Sequence, residues 1–337
     1  MQKNSKPVDR LVRIIEEFPK LTITVLGDLI ADEFIYGEIS RVSREAPVLI
    51  LRHRARTVVP GGAGNAIYNL ADLGVTVLPV GIVGEDESGR ALLHAFRQKH
   101  ISISAIRRIK GYNTVTKTRV LAGTTHSPRQ QVIRIDREPD APLDRTAVRD
   151  LVLKTRGYVR ASDALLISDY GYGAATPQIF DLVRSRASLT NIPVTLDSRY
   201  RALAYNGVTA ATPNEAELEE ALRTRIGNDN ERLLAAGKAV MQKMRLQSLL
   251  VTRGRDGMVV FARSAKPTFI PIYGSDEVAD VTGAGDTVIA TYTAALAAGA
   301  DAESAARLAN YAGGIVVMKR GTATVSRAEL LRAVMEG

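Results

Sequence analysis

Short β-branched runs that end in Gly or Asp recur along the chain, and this repetition constrains the fold more than any other feature. LTITVLGD (21–28) is the first, followed by TVLPVGIVG (76–84), DALLISDYG (163–171), IPVTLDSR (192–199), GVTAATPNEAE (207–217) and QSLLVTRG (247–254). Continuous apolar runs of this length suit strands covered on both faces, and a terminal Asp is delivered to the sheet edge. Helical stretches at 85–99, 143–160 and 229–245 lie between them. Strands alternating with helices predict an α/β fold with a mostly parallel, doubly covered sheet. Val8, Leu11, Val12, Ile15 and Phe18 recur at helical spacing ahead of Pro19, which predicts a docking helix.

Two segments break this pattern. Residues 33–58 and 112–136 alternate polar with β-branched side chains and carry turn signals at Ala46-Pro47 and Ser127-Pro128. They predict half-exposed antiparallel strands set apart from the main sheet, forming a small β-lid over its ligand edge. With no repeat, low-complexity tract or linker, residues 1–337 read as one domain with this lid inserted.

Charge and composition remove several function classes. The formal charge is +9, but the 45 Lys and Arg are dispersed, and 11 Tyr, 6 Phe and no Trp offer few stacking groups. A polyphosphorylated small molecule accounts for this charge without nucleic acid. Without cysteine there are no disulfides, thiolate nucleophiles or Cys zinc sites, and His53, His94, His100 and His126 lack metal-ligand spacing. The N-terminal MQKNSKPVDR has no apolar segment and no run approaches a membrane span, which predicts a cytoplasmic protein.

The densest local signal is DVTGAGDTVIA (280–290), a glycine turn opening an Ala-rich helix. The free amides of Gly283, Ala284 and Gly285, with the helix dipole, suit an anion, and Asp286 is then placed to take a proton from an attacking hydroxyl. The same residues also make an ordinary capped helix start, and both readings stand on this segment alone. PGGAGNAIYNLADLG (60–74) is a second glycine turn, with Gly61, Gly62 and Asn65 at its mouth. Neither the dinucleotide nor the Walker spacing occurs. Asp28 and Asp32 suit sugar hydroxyls or strand-end capping. Asn214 and Glu217 suit water around Mg²⁺ or a helix start, and TRGRDG (252–257) suits nucleotide phosphates or a hairpin turn.

In this order the motifs resemble the PfkB (ribokinase-like) family of carbohydrate kinases, over about residues 20–332. The resemblance rests on the early Gly-Asp strand end, Gly61-Gly62 with Asn65, the N-x-x-E of Asn214 to Glu217, the T-x-G-x-x-G of Thr252 to Gly257, and D-x-T-G-A-G-D at 280–286. It implies a ribokinase-like fold, ATP and Mg²⁺ as cofactors, and Asp286 as catalytic base with the 283–285 amides as anion hole. It places Asn214, Thr252, Gly254, Gly257 and Asn310 at the nucleotide, with Asn214 and Glu217 serving Mg²⁺ through water. Asp28, Asp32, Gly61, Gly62 and Asn65 fall at the sugar, and Asp280 and Thr282 in a loop that holds a monovalent cation such as K⁺ in some members.

YGEISRVSREAPV (36–48), TVTKTRVLAG (114–123), RQQVIRIDRE (129–138) and LISDYGYG (166–173) further resemble the kinase domain of heptose-phosphate enzymes. That likeness implies D-glycero-β-D-manno-heptose 7-phosphate as acceptor, with lid cations Arg41, Lys117, Arg119, Arg129 and Arg134 near its phosphate; a solvated basic strand face is the competing reading. Tyr172 and Arg199 stand where that subfamily usually carries lysine. The nucleotidyltransferase segment of the fused bacterial enzymes finds no counterpart up to Gly337. Apolar lid residues Ile35, Ile39, Val48 and Ile50 predict a homodimer through the lid.

Overall fold

Each buried run of the sequence becomes a strand of one sheet in the computed structural model, which describes residues 7–123, 130–185, 192–274, 280–319 and 321–336. The chain starts with helix α1 (Pro7–Glu17) and strand β1 (Thr22–Gly27), then makes a long excursion through β2 (Leu29–Val42) and β3 (Leu49–Gly62). It returns with α2 (Ala63–Asp72), β4 (Thr76–Gly84), α3 (Glu87–Gln98) and β5 (Ile106–Ile109), and leaves again as β6 (Thr116–Gly123) and β7 (Gln130–Arg137). Alternation then resumes: α4 (Arg145–Val159), β8 (Ala164–Asp169), α5 (Pro177–Arg184), β9 (Val194–Ser198), β10 (Ala210–Ala211), α6 (Glu215–Leu222), α7 (Asn230–Met244) and β11 (Ser248–Thr252). A hairpin, β12 (Met258–Ala262) and β13 (Thr268–Ile270), precedes α8 (Ala284–Ala297), α9 (Ala302–Val317) and α10 (Arg327–Glu336).

The nine-stranded sheet has the order β13-β12-β11-β10-β9-β8-β1-β4-β5. It is parallel from β11 to β5, and only the β12 and β13 hairpin runs antiparallel. The pleat sends alternate residues to opposite layers. Leu165 and Ile167 of β8 join the core that includes α4, α5 and α7, whereas Ala164 and Leu166 join the one that includes α1, α2, α8 and α9. Burial on both faces is the reason these strands read as unbroken apolar runs. The 207–217 run yields only two strand residues, because Pro213 breaks the ladder and Asn214 caps α6.

The lid is a separate four-stranded sheet of order β3-β2-β6-β7. It begins closer to the main sheet than the sequence predicts, at Leu29 immediately after Asp28. As expected, β2 and β3 pair antiparallel, as do β6 and β7; the two hairpins join through β2 and β6, which pair parallel. The cause lies in the main sheet. β1 and β5 run in the same direction, so the chain leaves the same sheet edge on both excursions and heads outward alike. Thr118 and Arg56 both donate to buried Glu33 at the lid base, and Arg56 also bonds Glu87 of α3, fastening lid to body. The Ser127-Pro128 turn signal lies outside the described residues.

Candidate active site

At the C-terminal edge of the parallel sheet, α8 starts from Gly283, whose φ of 80° is left-handed backbone that glycine adopts without strain. Asp286 sits in the first turn and is 4% exposed. Its two oxygens have separate donors: Asn65 Nδ2 to Oδ2 at 3.0 Å and the Tyr170 phenol to Oδ1 at 2.8 Å. Asn65 Nδ2 also reaches the Gly283 carbonyl at 3.2 Å. Behind it, Asn69 Nδ2 donates to the Asn65 carbonyl, while Asn69 Oδ1 accepts from Thr287 Oγ1 and the Val325 amide. The two glycine turns far apart in sequence are thus bonded into one unit. Burial pushes the Asp286 carboxyl up to about 7 against the opposing bonds from Asn65 and Tyr170, with Asp32 raising it further and Lys117 lowering it.

One side of Asp286 faces the lid. Asp28, 2% exposed, accepts the backbone N–H groups of Tyr170 (2.9 Å), Tyr172 (3.0 Å) and Ala174 (2.8 Å). Burial raises its pKa to about 6 despite these bonds. Its carboxylate therefore organises the 170–174 loop, in keeping with the strand-end capping that was one of its two readings. Asp32 is paired with Arg119 at 2.6 Å, and a methyl group on Gly61 would lie 2.1 Å from Asp32 Oδ2. Gly62, with φ 54°, turns the chain into α2.

The lid cations separate into classes that the sequence does not distinguish. Arg119 is neutralised by Asp32, and Arg134 by Asp136 through a two-pronged contact at 2.8 and 2.7 Å. Arg41 lies nine residues beyond Asp32 on β2, about 30 Å along the strand, at an exposed end. The structure therefore does not bring Arg41 to the Asp286 site of its own chain. Arg129 lies outside the described residues. Lys117 is the exception among the described candidates. It is 8% exposed, forms no ion pair among the described residues, and its ammonium lies 6.0 Å from the Tyr170 ring and 5.8 Å from the Tyr172 ring. Burial, with Arg134 nearby, lowers its pKa.

Next to Asp286, at Gly285, lies a cavity of about 410 Å³ lined also by Tyr170, Asp197, Arg199, Asn214, Glu217 and Thr252, among others. Nothing stands within 4 Å of where a Cβ on Gly285 or Gly254 would be, so both backbones face open space. Of the two, Gly285 lines the cavity, and open backbone there suits a phosphate. Asn214 and Glu217 form a complete capping box, Asn214 Oδ1 accepting the Glu217 amide and Glu217 Oε2 the Asn214 amide. They both start α6 and line the cavity. Burial raises the pKa of Glu217, and that of Asp197 well above the usual carboxylate range with Glu217 and Asp286 beside it. Among the described residues no group of three acidic or histidine side chains forms a metal cage. Oxygen donors in this number suit Mg²⁺ that keeps most of its waters and binds through phosphates.

Four of the expected nucleotide and ion residues are engaged within the chain itself. The Ala284 N–H is turned onto the Val281 carbonyl at 3.2 Å, which leaves Gly283 and Gly285 as the turn's amides for an anion. A Cβ on Gly257 would meet the Ile270 carbonyl at 2.1 Å, so this glycine serves hairpin packing. Asn310 is 7% exposed and donates to the Pro271 carbonyl at 2.9 Å instead of lining the cavity. Asp280 accepts the amides of Thr282 and Gly321, so its carboxylate closes its own loop. Sequence reasoning missed Tyr170, Asp197 and Asn69. The first two are polar residues at the ends of buried strands, which is the signal that singled out Asp28.

The profile of the pfkB family of carbohydrate kinases matches residues 22–329. The chain is 40% identical over 311 residues to the bifunctional protein HldE of Pelobacter propionicus, covering 92% of this chain and 62% of that protein. It is 39% identical over 325 residues to HldE of Gluconobacter oxydans, covering 96% and 66%. The chain thus spans roughly two thirds or less of these relatives' length. Among solved structures it resembles Arabidopsis thaliana ribokinase complexed with ribose and ATP, with a TM-score of 0.72, 19% identity, and coverage of 93% and 98%. It also resembles Escherichia coli phosphofructokinase-2 in complex with fructose-6-phosphate, at 0.73, 18%, and 94% and 98%. These two likenesses bear on the fold. No helix among the described residues is long and apolar enough to cross a membrane.

Proposed function

We propose, for a chain that belongs to the pfkB family of carbohydrate kinases, that it phosphorylates the anomeric hydroxyl of D-glycero-β-D-manno-heptose 7-phosphate at the expense of ATP. The observation that carries this reading is Asp286, buried at the N-terminus of α8, held by Asn65 and Tyr170, and adjoining through Gly285 a cavity of about 410 Å³. The likeness to HldE over most of the chain supports the heptose phosphate as acceptor. Lys117, which forms no ion pair among the described residues, suits that acceptor's own phosphate.

ATP, with Mg²⁺ on its phosphates, supplies the γ-phosphoryl group and the charge neutralisation that its transfer needs. Asp197 and Glu217 would hold Mg²⁺ through water, and Thr252, Gly254 and Gly285 would border the nucleotide. Asp286 takes the acceptor hydroxyl proton as the new oxygen–phosphorus bond forms and the bond to ADP breaks. It then releases the proton to solvent. The amides of Gly283 and Gly285 meet the charge on the transferring group, and the lid keeps water out. A K⁺ requirement forms no part of this reading. We place the protein in the cytoplasm, where ATP is at hand for such a reaction.

The lid leaves Val42, Val48, Leu49, Val132, Ile133 and Ile135 exposed, and a second copy covering them would form a lid-to-lid homodimer. Light scattering at micromolar concentration tests this, and a monomer overturns it. The activity is tested by coupled ADP release with heptose 7-phosphate, ribose and fructose 6-phosphate as acceptors. Turnover with the heptose phosphate alone supports the full reading. Turnover with another acceptor keeps the kinase and replaces its substrate.

A further inference from the structure

We infer that Tyr170 is a positioning residue for Asp286, its phenol fixing one carboxylate oxygen and keeping the group ready to receive a proton; this rests on the kinase reading above. Asp286 and Tyr170 are 116 positions apart, yet the phenol lies 2.8 Å from Oδ1 while Asn65 holds Oδ2. Two donors on opposite oxygens define the plane of the carboxylate, which one donor alone leaves free to rotate. Each donor also favours the ionised form, the one a base must present.

The phenol is held as firmly as the group it contacts. Asp28 grips the Tyr170 amide at 2.9 Å and the amides two and four residues later, and the Gly171 amide is bonded to Asp169 at 3.0 Å. Burial, with Asp286 and Asp197 nearby, holds the phenol's ionisation well above its usual value, so it remains a donor wherever the enzyme works. The titratable and charged groups around Asp286 come from four directions: Asp32 on β2, Lys117 on β6, Tyr170 after β8 and Asp197 on β9. Asp32 and Asp197 disfavour its charge, Lys117 favours it from a distance, and Tyr170 is the hydroxyl group bonded to it. A ring needed only to fill space between cleft and cavity would do so equally well as phenylalanine.

The test is Y170F, which removes one oxygen and leaves the ring and the backbone anchor to Asp28. The acid limb of kcat against pH is expected to move up by about one pH unit, so that turnover falls roughly tenfold below the midpoint and recovers at alkaline pH. The KM for ATP is expected to stay within about twofold. A Y170F profile superimposable on wild type overturns the proposal, whatever its absolute rate. The Asp286 carboxyl titration is also read by ¹³C NMR, with D286N assigning the resonance. A higher midpoint in Y170F supports the coupling and an unchanged one rejects it. This readout needs no turnover, so it separates failure of the coupling from failure of the kinase reading, which D286N retaining wild-type turnover would reveal. If Y170F does not fold, the wild-type Tyr170 hydroxyl proton is followed instead. Its signal must shift with Asp286 protonation, and its indifference to that titration rejects the proposal.

Discussion

Gly283 and Asn65 meet so closely that a methyl group on the glycine would stand 2.3 Å from Asn65 Nδ2. The same Nδ2 holds Asp286. The glycine of one turn is therefore the condition under which the other turn can grip the base. Gly283→Ala adds two faults, the contact with Asn65 and a left-handed φ of 80°. It is expected to cost about 1 kcal/mol or more of stability and to lower kcat at least tenfold. Steady-state kinetics beside a urea titration check both.

Activity is expected to fall as pH drops through about 7, the value to which burial pushes Asp286, because the protonated carboxyl cannot accept the acceptor's proton. Stability follows the opposite course. The folded state holds this proton more tightly than the unfolded chain, so the folded protein loses stability as pH rises from the ordinary carboxylate value of 3.8 to about 7. Asp286→Asn removes that penalty and can still accept from Asn65 while donating to the Tyr170 oxygen. At pH 8 it is expected to be roughly 2 to 4 kcal/mol more stable than wild type and nearly inactive, with normal nucleotide affinity. Melting curves at pH 5 and pH 8 check the sign, since the difference should shrink at the lower pH.

Asp28→Asn is expected to weaken the 170–174 loop. An amide presents one oxygen where three backbone N–H groups now find two, so at least one is left facing another donor. The cost is about 1 to 3 kcal/mol, with kcat reduced because Tyr170 loses its anchor. Amide hydrogen exchange at Tyr170, Tyr172 and Ala174 should accelerate, and unchanged protection would contradict this account.

Lys117→Met keeps the buried stem and removes the charge. The KM for a phosphorylated acceptor is expected to rise about tenfold or more, while an unphosphorylated sugar should be little affected. Arg134→Met is the comparison. That guanidinium is already held by Asp136, so its removal should change KM much less.

Pairing partners explain why those two lid cations differ and why sequence reading could not tell them apart. Lys117, Arg119 and Arg134 all lie on alternating basic strands. Arg119 meets Asp32 only because β6 lies beside β2, and Arg134 meets Asp136 two residues away on its own strand. The parallel pairing of the two lid hairpins was invisible for a related reason: direction was set by where β1 and β5 leave the main sheet. Asp28 and Asn310 were visible as polar residues in apolar surroundings, but nothing local says which amides or carbonyls they meet.

Local chemistry determined the rest. The alternation of doubly buried strands with helices, the inserted lid segments and the glycine turn ahead of Asp286 all follow from periodicity and backbone preference over a few residues, which a sequence displays directly. Tertiary structure alone decided that Asp28 organises a loop, that Lys117 forms no ion pair among the described residues, and that Tyr170 reaches Asp286 across 116 positions. Those facts depend on strand order and packing between distant segments, and through them on which polar groups are removed from water together.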